Sequence, residues 1–271
     1  MNKIQKFNQI CKDIKSLKIQ SATTLAKKAF FAYKLFPTKS SKKKLLSLRP
    51  TEPMLYNILN KFLDLSFHEL DKILKNHQDI INKQIIKLIK NNSVIFTHCH
   101  ASTIINALIY AKKKNKKFEV YVTETRPLYQ GKKTAEELSK KGIKITMFVD
   151  SAAKIALTKE QDKEEKTKPV NLVLLGADAI TNKGVVNKIG SGMYASIAKI
   201  NKIPFYIVSD SLKYTDKKVK FEQRNPNEIW KNKKIKIINP AFEFIPKEEI
   251  TGIISELGTL KYREFLGKIN K

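Results

Sequence analysis

Apolar residues recur at helical spacing through the first ninety or so positions of the chain. KIQSATTLAKKAFFAYKLF, residues 18–36, and LYNILNKFLDLSFHELDKILKNHQDIINKQIIKLIK, residues 55–90, both carry stripes at i, i+3 and i+4, the signature of helices with one buried face. Pro37, Pro50 and Pro53 interrupt the pattern and predict breaks between helices. After Asn91 and Asn92 the texture changes. Short β-branched runs alternate with amphipathic stretches: VIFTH then STIINALIYAKKK, FEVYVTE then GKKTAEELSKKG, IKITMFVD then SAAKIALTK, VNLVLLGAD then SGMYASIAKINK, and finally PFYIVSD. Continuous apolar strands separated by helices predict βαβ units, because a parallel strand is buried on both faces and needs a crossover to return. The pattern therefore predicts an α/β chain: a helical N-terminal domain over residues 1–91, then a Rossmann-like parallel sheet with helices on both faces over residues 92–271.

One polar, low-complexity stretch, TKEQDKEEKTKP at 158–169, falls between a helix and the next strand. Such connections lie at the N-terminal edge of a parallel sheet, away from the edge that binds ligands. A solvated loop is expected there.

Composition narrows the class. With 42% hydrophobic residues in 271, the chain can bury a sizeable core. No apolar run approaches the roughly 20 residues of a membrane-spanning helix, so no membrane partner is expected. The Lys-rich N-terminus lacks the apolar core of a secretory signal. Cys11 and Cys99, the two cysteines, form no disulfide framework, and the cytoplasm is the expected location. The formal net charge is +28, from 53 basic and 25 acidic residues. The lysines are spread over nearly every polar segment, without zinc-finger spacing or an aromatic RNA-binding signature, so no nucleic-acid partner is expected. A positive field also attracts a multiply phosphorylated small molecule. Arg49, Arg126, Arg224 and Arg263 stand out in a chain that otherwise uses lysine. A guanidinium offers a planar fork of donors suited to phosphate or carboxylate; a structural salt bridge is the competing reading for each.

The candidate chemistry gathers at the C-terminal ends of the expected strands, the edge where open parallel sheets form their crevices. Thr97-His98-Cys99-His100 ends the first, Thr125-Arg126 follows the second, Asp150-Ser151 the third, Gly176-Ala177-Asp178 the fourth, and Ser209-Asp210-Ser211 the fifth, with Lys213 just beyond. In an extended segment alternate side chains point opposite ways, which sets His98 and His100 against Cys99 and argues against a shared metal ion. No metal is expected. Cys99 facing the helix that opens near Ser102 and Thr103 would be favoured as a thiolate, a base or nucleophile; a buried structural cysteine is the alternative. Asp178 follows an apolar strand, a setting that can hold a carboxyl neutral and make it a proton donor. Asn187 and Lys188 precede Ile189-Gly190-Ser191-Gly192 and a helix, an arrangement suited to a phosphate or sugar oxygen.

The motifs VIFTHCHAST, VYVTETRPLYQGKKTAEEL, VDSAA, LLGADAITNKGVVNKIGS and INPAFEFIP, in that order, resemble the superfamily of translation initiation factor 2B alpha, beta and delta subunits and 5-methylthioribose-1-phosphate isomerases. Within it the sequence is most similar to the archaeal ribose-1,5-bisphosphate isomerases. KIQSATTLAKKA and RPTEPMLYNIL carry the resemblance into the helical part. It implies that Cys99 abstracts a proton and Asp178 donates one. It places Gln20, Ser21, Ala22, Thr23, Arg49, Ala101, Ser102, Thr103, Asn187, Lys188 and Lys213 around the substrate, with Arg126 and Arg224 also at family positions. The implied reaction is isomerisation of a phosphorylated pentose, ribose 1,5-bisphosphate, to ribulose 1,5-bisphosphate in AMP salvage. It implies no metal or redox cofactor, and a homo-oligomer built from dimers, up to a hexamer. There are departures. The family typically carries Arg-Gly where this chain has Gln20-Ser21, removing a charge-assisted fork from one phosphate. The helical part is shorter, the loop at 158–169 longer, and LGTLKYREFLGK lacks a proline pair. A 5-methylthioribose-1-phosphate isomerase would carry an Asn-Thr-Gly-like turn where His100-Ala101-Ser102 stand here. Non-catalytic initiation factor subunits generally lack the Cys and Asp pair.

Overall fold

A computed structural model of the chain describes residues 2–16, 18–19, 21–49, 52–158, 167–219, 221, 223–232 and 234–269. Five helices come first: α1 (Lys3–Lys15), α2 (Ala22–Leu35), α3 (Lys39–Leu48), α4 (Pro53–Lys61) and α5 (Phe67–Leu88). Their starts are written in the sequence. Asn2 and Gln5 form a capping box on α1, Ser66 and Glu69 another on α5, Thr38 caps α3, and Pro53 opens α4, each satisfying or dispensing with amides that a helix start leaves orphaned. The helices enclose a core around Leu25, Phe30, Leu45, Met54, Ile58 and Leu70.

The second part alternates as expected: β1 (Ser93–Thr97), α6 (Ser102–Lys113), β2 (Phe118–Thr123), α7 (Gln130–Ser139), β3 (Lys144–Phe148), α8 (Ala153–Leu157), β4 (Leu172–Leu175), then β5 (Ala179–Ile180), β6 (Gly184–Lys188), α9 (Ser191–Ile200) and β7 (Phe205–Val208). The chain ends with β8 (Phe242–Pro246), β9 (Gly252–Ser255), β10 (Gly258–Leu260) and α10 (Tyr262–Ile269). The main sheet has seven strands in the order β10-β9-β7-β4-β1-β2-β3, parallel except for the β9–β10 pair. Alternation along β1 sends Phe96 to a core with Tyr121, Tyr194 and Phe205, and Ile95 to the opposite core with Ile104, Leu108 and Leu174. Both faces of β1, β2 and β4 are buried, so these strands read as nearly unbroken apolar runs, whereas the edge strand β3 is partly exposed.

Three features go beyond the sequence pattern. β5, β6 and β8 make a small antiparallel sheet of their own, and β9 and β10 extend the main sheet. Helix α5 works in both cores: Leu70 and Leu74 pack among the helices, whereas Ile81, Ile85 and Ile89 pack with Ile95 and Ile104 beside the sheet. Packing thus changes hands inside α5, ahead of residues 91 and 92. Of the polar stretch at 158–169, residues 159–166 lie outside the described ones. Among the described residues no helix is long and apolar enough to cross a membrane.

Candidate functional site

A cavity of about 160 Å³ opens at the C-terminal edge of the main sheet and is walled by both halves of the chain. Cys99 and Asp178 both line it. Strand β1 ends at Thr97, and Cys99 adopts a left-handed backbone with φ 65°, a conformation that a non-glycine residue holds only when its surroundings enforce it. Two threonines do so. The Cys99 amide donates to Thr125 Oγ1 at 3.0 Å, and the Thr134 hydroxyl donates to the Cys99 carbonyl at 2.8 Å. This turn corrects the expected alternation of His98, Cys99 and His100, because the extended segment stops before Cys99. All three border the cavity, yet each histidine is engaged elsewhere.

His98 is 2% exposed and packs against Tyr194 with ring planes tilted by 56° and centroids 4.8 Å apart. Its Nε2 lies 2.9 Å from the Ile189 carbonyl and its Nδ1 2.5 Å from Thr123 Oγ1. A carbonyl can only accept, so Nε2 carries the proton and Nδ1 accepts from the hydroxyl. Burial pulls its pKa down to about 4, and the ring is a neutral strut between the end of β1 and the loop after β6. His100 Nε2 lies 3.1 Å from Glu137 Oε1, and burial with the Lys133 charge lowers its pKa.

The acidity of Cys99 differs from the sequence expectation. Burial pushes the thiol up to about 11, while the Lys188 ammonium and the His100 amide pull the other way and Asp178 and Asp150 add to the rise. The desolvation of a thiolate outweighs the partial charge of a helix start. Alkylation of Cys99 by iodoacetamide, followed by peptide mass spectrometry, is therefore expected to be slow at neutral pH. Its rate should climb about tenfold per pH unit towards the raised pKa, because only the thiolate reacts. A plateau near neutral pH would contradict this.

The remaining cavity wall is built for anions. Arg49, Lys133, Lys188, Lys213 and Arg224 border it against two acids, Glu52 and Asp178. Arg49, the C-cap of α3, is held by Glu52 through Nη2 to Oε1 at 2.7 Å, with side chains 10% and 4% exposed. Its buried Nη1 has no hydrogen-bond partner among the described residues, a donor that favours an incoming oxyanion. Two helix starts meet here as well. Ser21, the N-cap of α2, and Ala101, the N-cap of α6, provide no side-chain cap, and Ser21 Oγ sits 3.5 Å from Ser102 Oγ. Ala22, Thr23 and Thr103 complete that wall. Uncapped helix starts present free amides and the positive end of the dipole, the makings of a phosphate site.

Elsewhere in the lining Asn187 Nδ2 donates to Ser191 Oγ at 2.9 Å, and the Lys188 ammonium stands 4.8 Å from the centre of the Phe242 ring. Lys213 Nζ donates to the Ala177 carbonyl at 2.6 Å. The Asp178 amide donates to the Val186 carbonyl at 2.9 Å, so the antiparallel sheet that the sequence pattern concealed fixes the chain at Asp178, Asn187 and Lys188.

Gln20 lies outside the described residues. Arg126 is not at the cavity. It is exposed, its backbone amide donates to Asp150 Oδ2 at 2.7 Å, and its guanidinium reaches the Tyr129 hydroxyl and ring. Sequence reasoning overlooked Glu52, Gln130 and Lys133, all in the wall. Gln130 Oε1 is buried with no partner among the described residues. Gln130 and Lys133 lie one turn apart at the start of α7, inside the quoted TRPLYQGKK run, and that i, i+3 spacing was the available signal.

Residues 66–262 match the model of the Initiation factor 2 subunit family. The chain belongs to that family. Among curated relatives, a ribose 1,5-bisphosphate isomerase from Archaeoglobus fulgidus is 30% identical, the match covering 91% of this chain and 87% of the relative. A methylthioribose-1-phosphate isomerase from a Thermoanaerobacter species is 33% identical over 78% of this chain and 69% of the relative. Among solved structures, a translation initiation factor eIF-2B from Pyrococcus horikoshii superposes with a TM-score of 0.82 at 25% identity, covering 94% of this chain and 96% of that one. A tetrameric eIF2B beta2-delta2 complex from Chaetomium thermophilum shares the fold at TM-score 0.74 and 15% identity, over 92% and 90% of the two chains.

Proposed function

We propose that this protein is an aldose–ketose isomerase that converts ribose 1,5-bisphosphate to ribulose 1,5-bisphosphate, in the setting of AMP salvage in the cytoplasm. The observation that carries the reading is one cavity bordered by a cysteine, an aspartate and five cationic side chains. A pentose with phosphates at both ends needs more than one cationic group, and the two uncapped helix starts, Arg49, Lys188 and Lys213 all border this cavity. Similarity to relatives named for this reaction supports it. Residues 1–91 and 92–271 are taken as the two domains, with the cavity between them.

In the reaction so assigned, Asp178 protonates the ring oxygen while the Cys99 thiolate takes the proton from C2. The bond between C1 and the ring oxygen breaks, a C1–C2 enol forms, and protonation at C1 with loss of the C2 hydroxyl proton gives the ketone. Cys99 must shed its proton first, and Lys188 is the neighbour whose charge favours that. The steps use an acid and a base, which each contribute about a hundredfold or more when well placed. The test is incubation of the protein with ribose 1,5-bisphosphate while following ribulose 1,5-bisphosphate, with 5-methylthioribose 1-phosphate in a parallel reaction. Turnover of the second substrate alone would reassign the enzyme to the other isomerase group. Turnover of neither would favour a non-catalytic subunit.

The same proposal includes a symmetric homo-oligomer. Phe221, Ile229, Trp230, Ile235 and Ile238 are all exposed within the one segment between β7 and β8, a concentration of apolar side chains that suits a protein interface. Light scattering is expected to give at least a dimer, and Trp230→Asp is expected to shift it towards monomer. A monomeric wild-type protein at micromolar concentration would refute this part.

A further inference from the structure

Lys213 is delivered to the cavity by a turn that other elements hold from three sides. The turn leaves the end of β7 at Ser209. Asp210 Oδ1 accepts the Leu212 amide at 2.9 Å, and Glu256, from the turn between β9 and β10, accepts the Ser211 amide through Oε2 at 3.0 Å. Asn57 of α4 donates to the carbonyls of Leu212 and Tyr214 at 2.8 and 2.9 Å. The third hold is ionic. His77, midway along α5, places Nδ1 2.8 Å from Asp210 Oδ2, with side chains 19% and 9% exposed. The nearest side-chain donor and acceptor atoms of His77, Asp210 and Glu256 all lie within 4.8 Å of one another.

Two carboxylates so close repel unless one keeps its proton or a positive charge sits beside them, and His77 is the side chain in contact with Asp210 that can supply that charge. Its direct 2.8 Å contact with Asp210 is the length of a charge-assisted hydrogen bond. Nδ1 of His77 thus holds the carboxylate that caps the turn, and the turn ends in the lysine that reaches the Ala177 carbonyl beside Asp178.

We propose that His77 is a positioning residue for Lys213: through Asp210 it clamps the 209–213 turn from the helical part of the molecule, and so sets the affinity of that wall of the cavity for a phosphate-type dianion. The proposal rests on the reading of the cavity as a phosphate site. His77 faces Asp210 at the end of β7 and Glu256 in the β9–β10 turn. Burial alone would lower the His77 pKa, but the Asp210 hydrogen bond and charge, with Glu256, carry it above its ordinary value, while Glu256 is raised by burial and by Asp210. A raised histidine pKa means that the clamp is complete below about pH 6.5 and is lost as pH rises through the folded value.

Two readouts test this. Inorganic sulfate, which stays a dianion throughout, probes the site by calorimetry between about pH 6 and about pH 9, and acetylation of Lys213 by acetic anhydride, read by mass spectrometry, reports its placement without any ligand. Wild type is expected to bind sulfate more weakly as pH rises. His77→Gln should bind about tenfold more weakly at the acid end and lose the pH dependence, with faster Lys213 acetylation relative to the other lysines. In a Lys213→Met background the His77 substitution should add nothing, since residues acting through one another do not add. Asp210→Asn, which keeps the cap on Leu212, should reproduce the His77→Gln result if that variant folds poorly. Wild-type affinity in His77→Gln, or independent additive losses in the double variant, would overturn the proposal. Absence of sulfate binding by wild type would instead sink the phosphate-site reading, leaving Lys213 acetylation to decide the clamp.

Discussion

Cys99→Ser and Asp178→Asn are each expected to lower turnover of ribose 1,5-bisphosphate by about a hundred- to ten-thousand-fold, the range spanned by a lost general acid or base. Serine nearly keeps the size of the side chain but is a far weaker acid, with a pKa out of reach of any working pH, so Cys99→Ser removes the base and little else. Asparagine preserves the shape of Asp178 and one of its hydrogen-bonding atoms but has no proton to give to the ring oxygen. Both variants should unfold within a degree or two of wild type, because the hydrogen bonds that hold the Cys99 turn run through its amide and carbonyl and not its sulfur. The backbone of Asp178 is likewise tied by its amide. Steady-state assays over a wide pH range, paired with thermal melts, measure this. Full turnover in either variant would remove that residue from the assigned chemistry, even if the reaction itself were confirmed.

The largest expected effect on stability is at Gly131. A Cβ there would stand 1.7 Å from the Thr123 carbonyl oxygen and 2.8 Å from its carbon. These are backbone atoms of β2, and no rotamer change can clear them. Helix α7 would have to move off the sheet, and it carries Gln130 and Lys133 of the cavity wall as well as Thr134, which donates to the Cys99 carbonyl. Gly131→Ala is expected to cost about 3 kcal/mol or more, at or beyond the upper end of ordinary overpacking. Gly267 in α10 is the control, since a Cβ there meets nothing within 4 Å. Gly267→Ala should be neutral or stabilising by about 0.5–1 kcal/mol through its helix preference. Urea denaturation of the three proteins reads the contrast. Equal midpoints would mean that α7 does not press on β2 as described.

The two kinds of hydrophobic period are legible because they report local geometry. A 3.6-residue stripe placed the early helices, and unbroken β-branched runs placed β1, β2, β3, β4 and β7. The antiparallel sheet escaped because β5 has two residues, Ala179 and Ile180, too few for any period to register, and because β8, the second partner of β6, lies some sixty positions further on. Only the resemblance places Arg126 at the substrate. In the structure Thr125 takes φ 60°, Asp150 accepts the amides of Thr125 and Arg126, and the guanidinium lies over Tyr129, outside the cavity lining.

The amino-acid order alone determined which chemistry was available and at which edge it would gather, because strand ends and helix starts follow from local pattern and motif. Cys99, Asp178, Arg49, Asn187, Lys188 and Lys213 could all be named on that basis. Only the tertiary structure decided the acidity of Cys99, the pairing of Arg49 with Glu52, the entry of Gln130 and Lys133 into the wall, and the His77 clamp on the Lys213 turn. The acidity and the clamp depend on burial or on partners far apart in the chain. Arg49 and Glu52 are only three residues apart, but what fixes their pairing is the burial of both side chains. The spacing of Gln130 and Lys133 gains its meaning only from the cavity they border. Desolvation and charge act through space, and a linear pattern carries no measure of either.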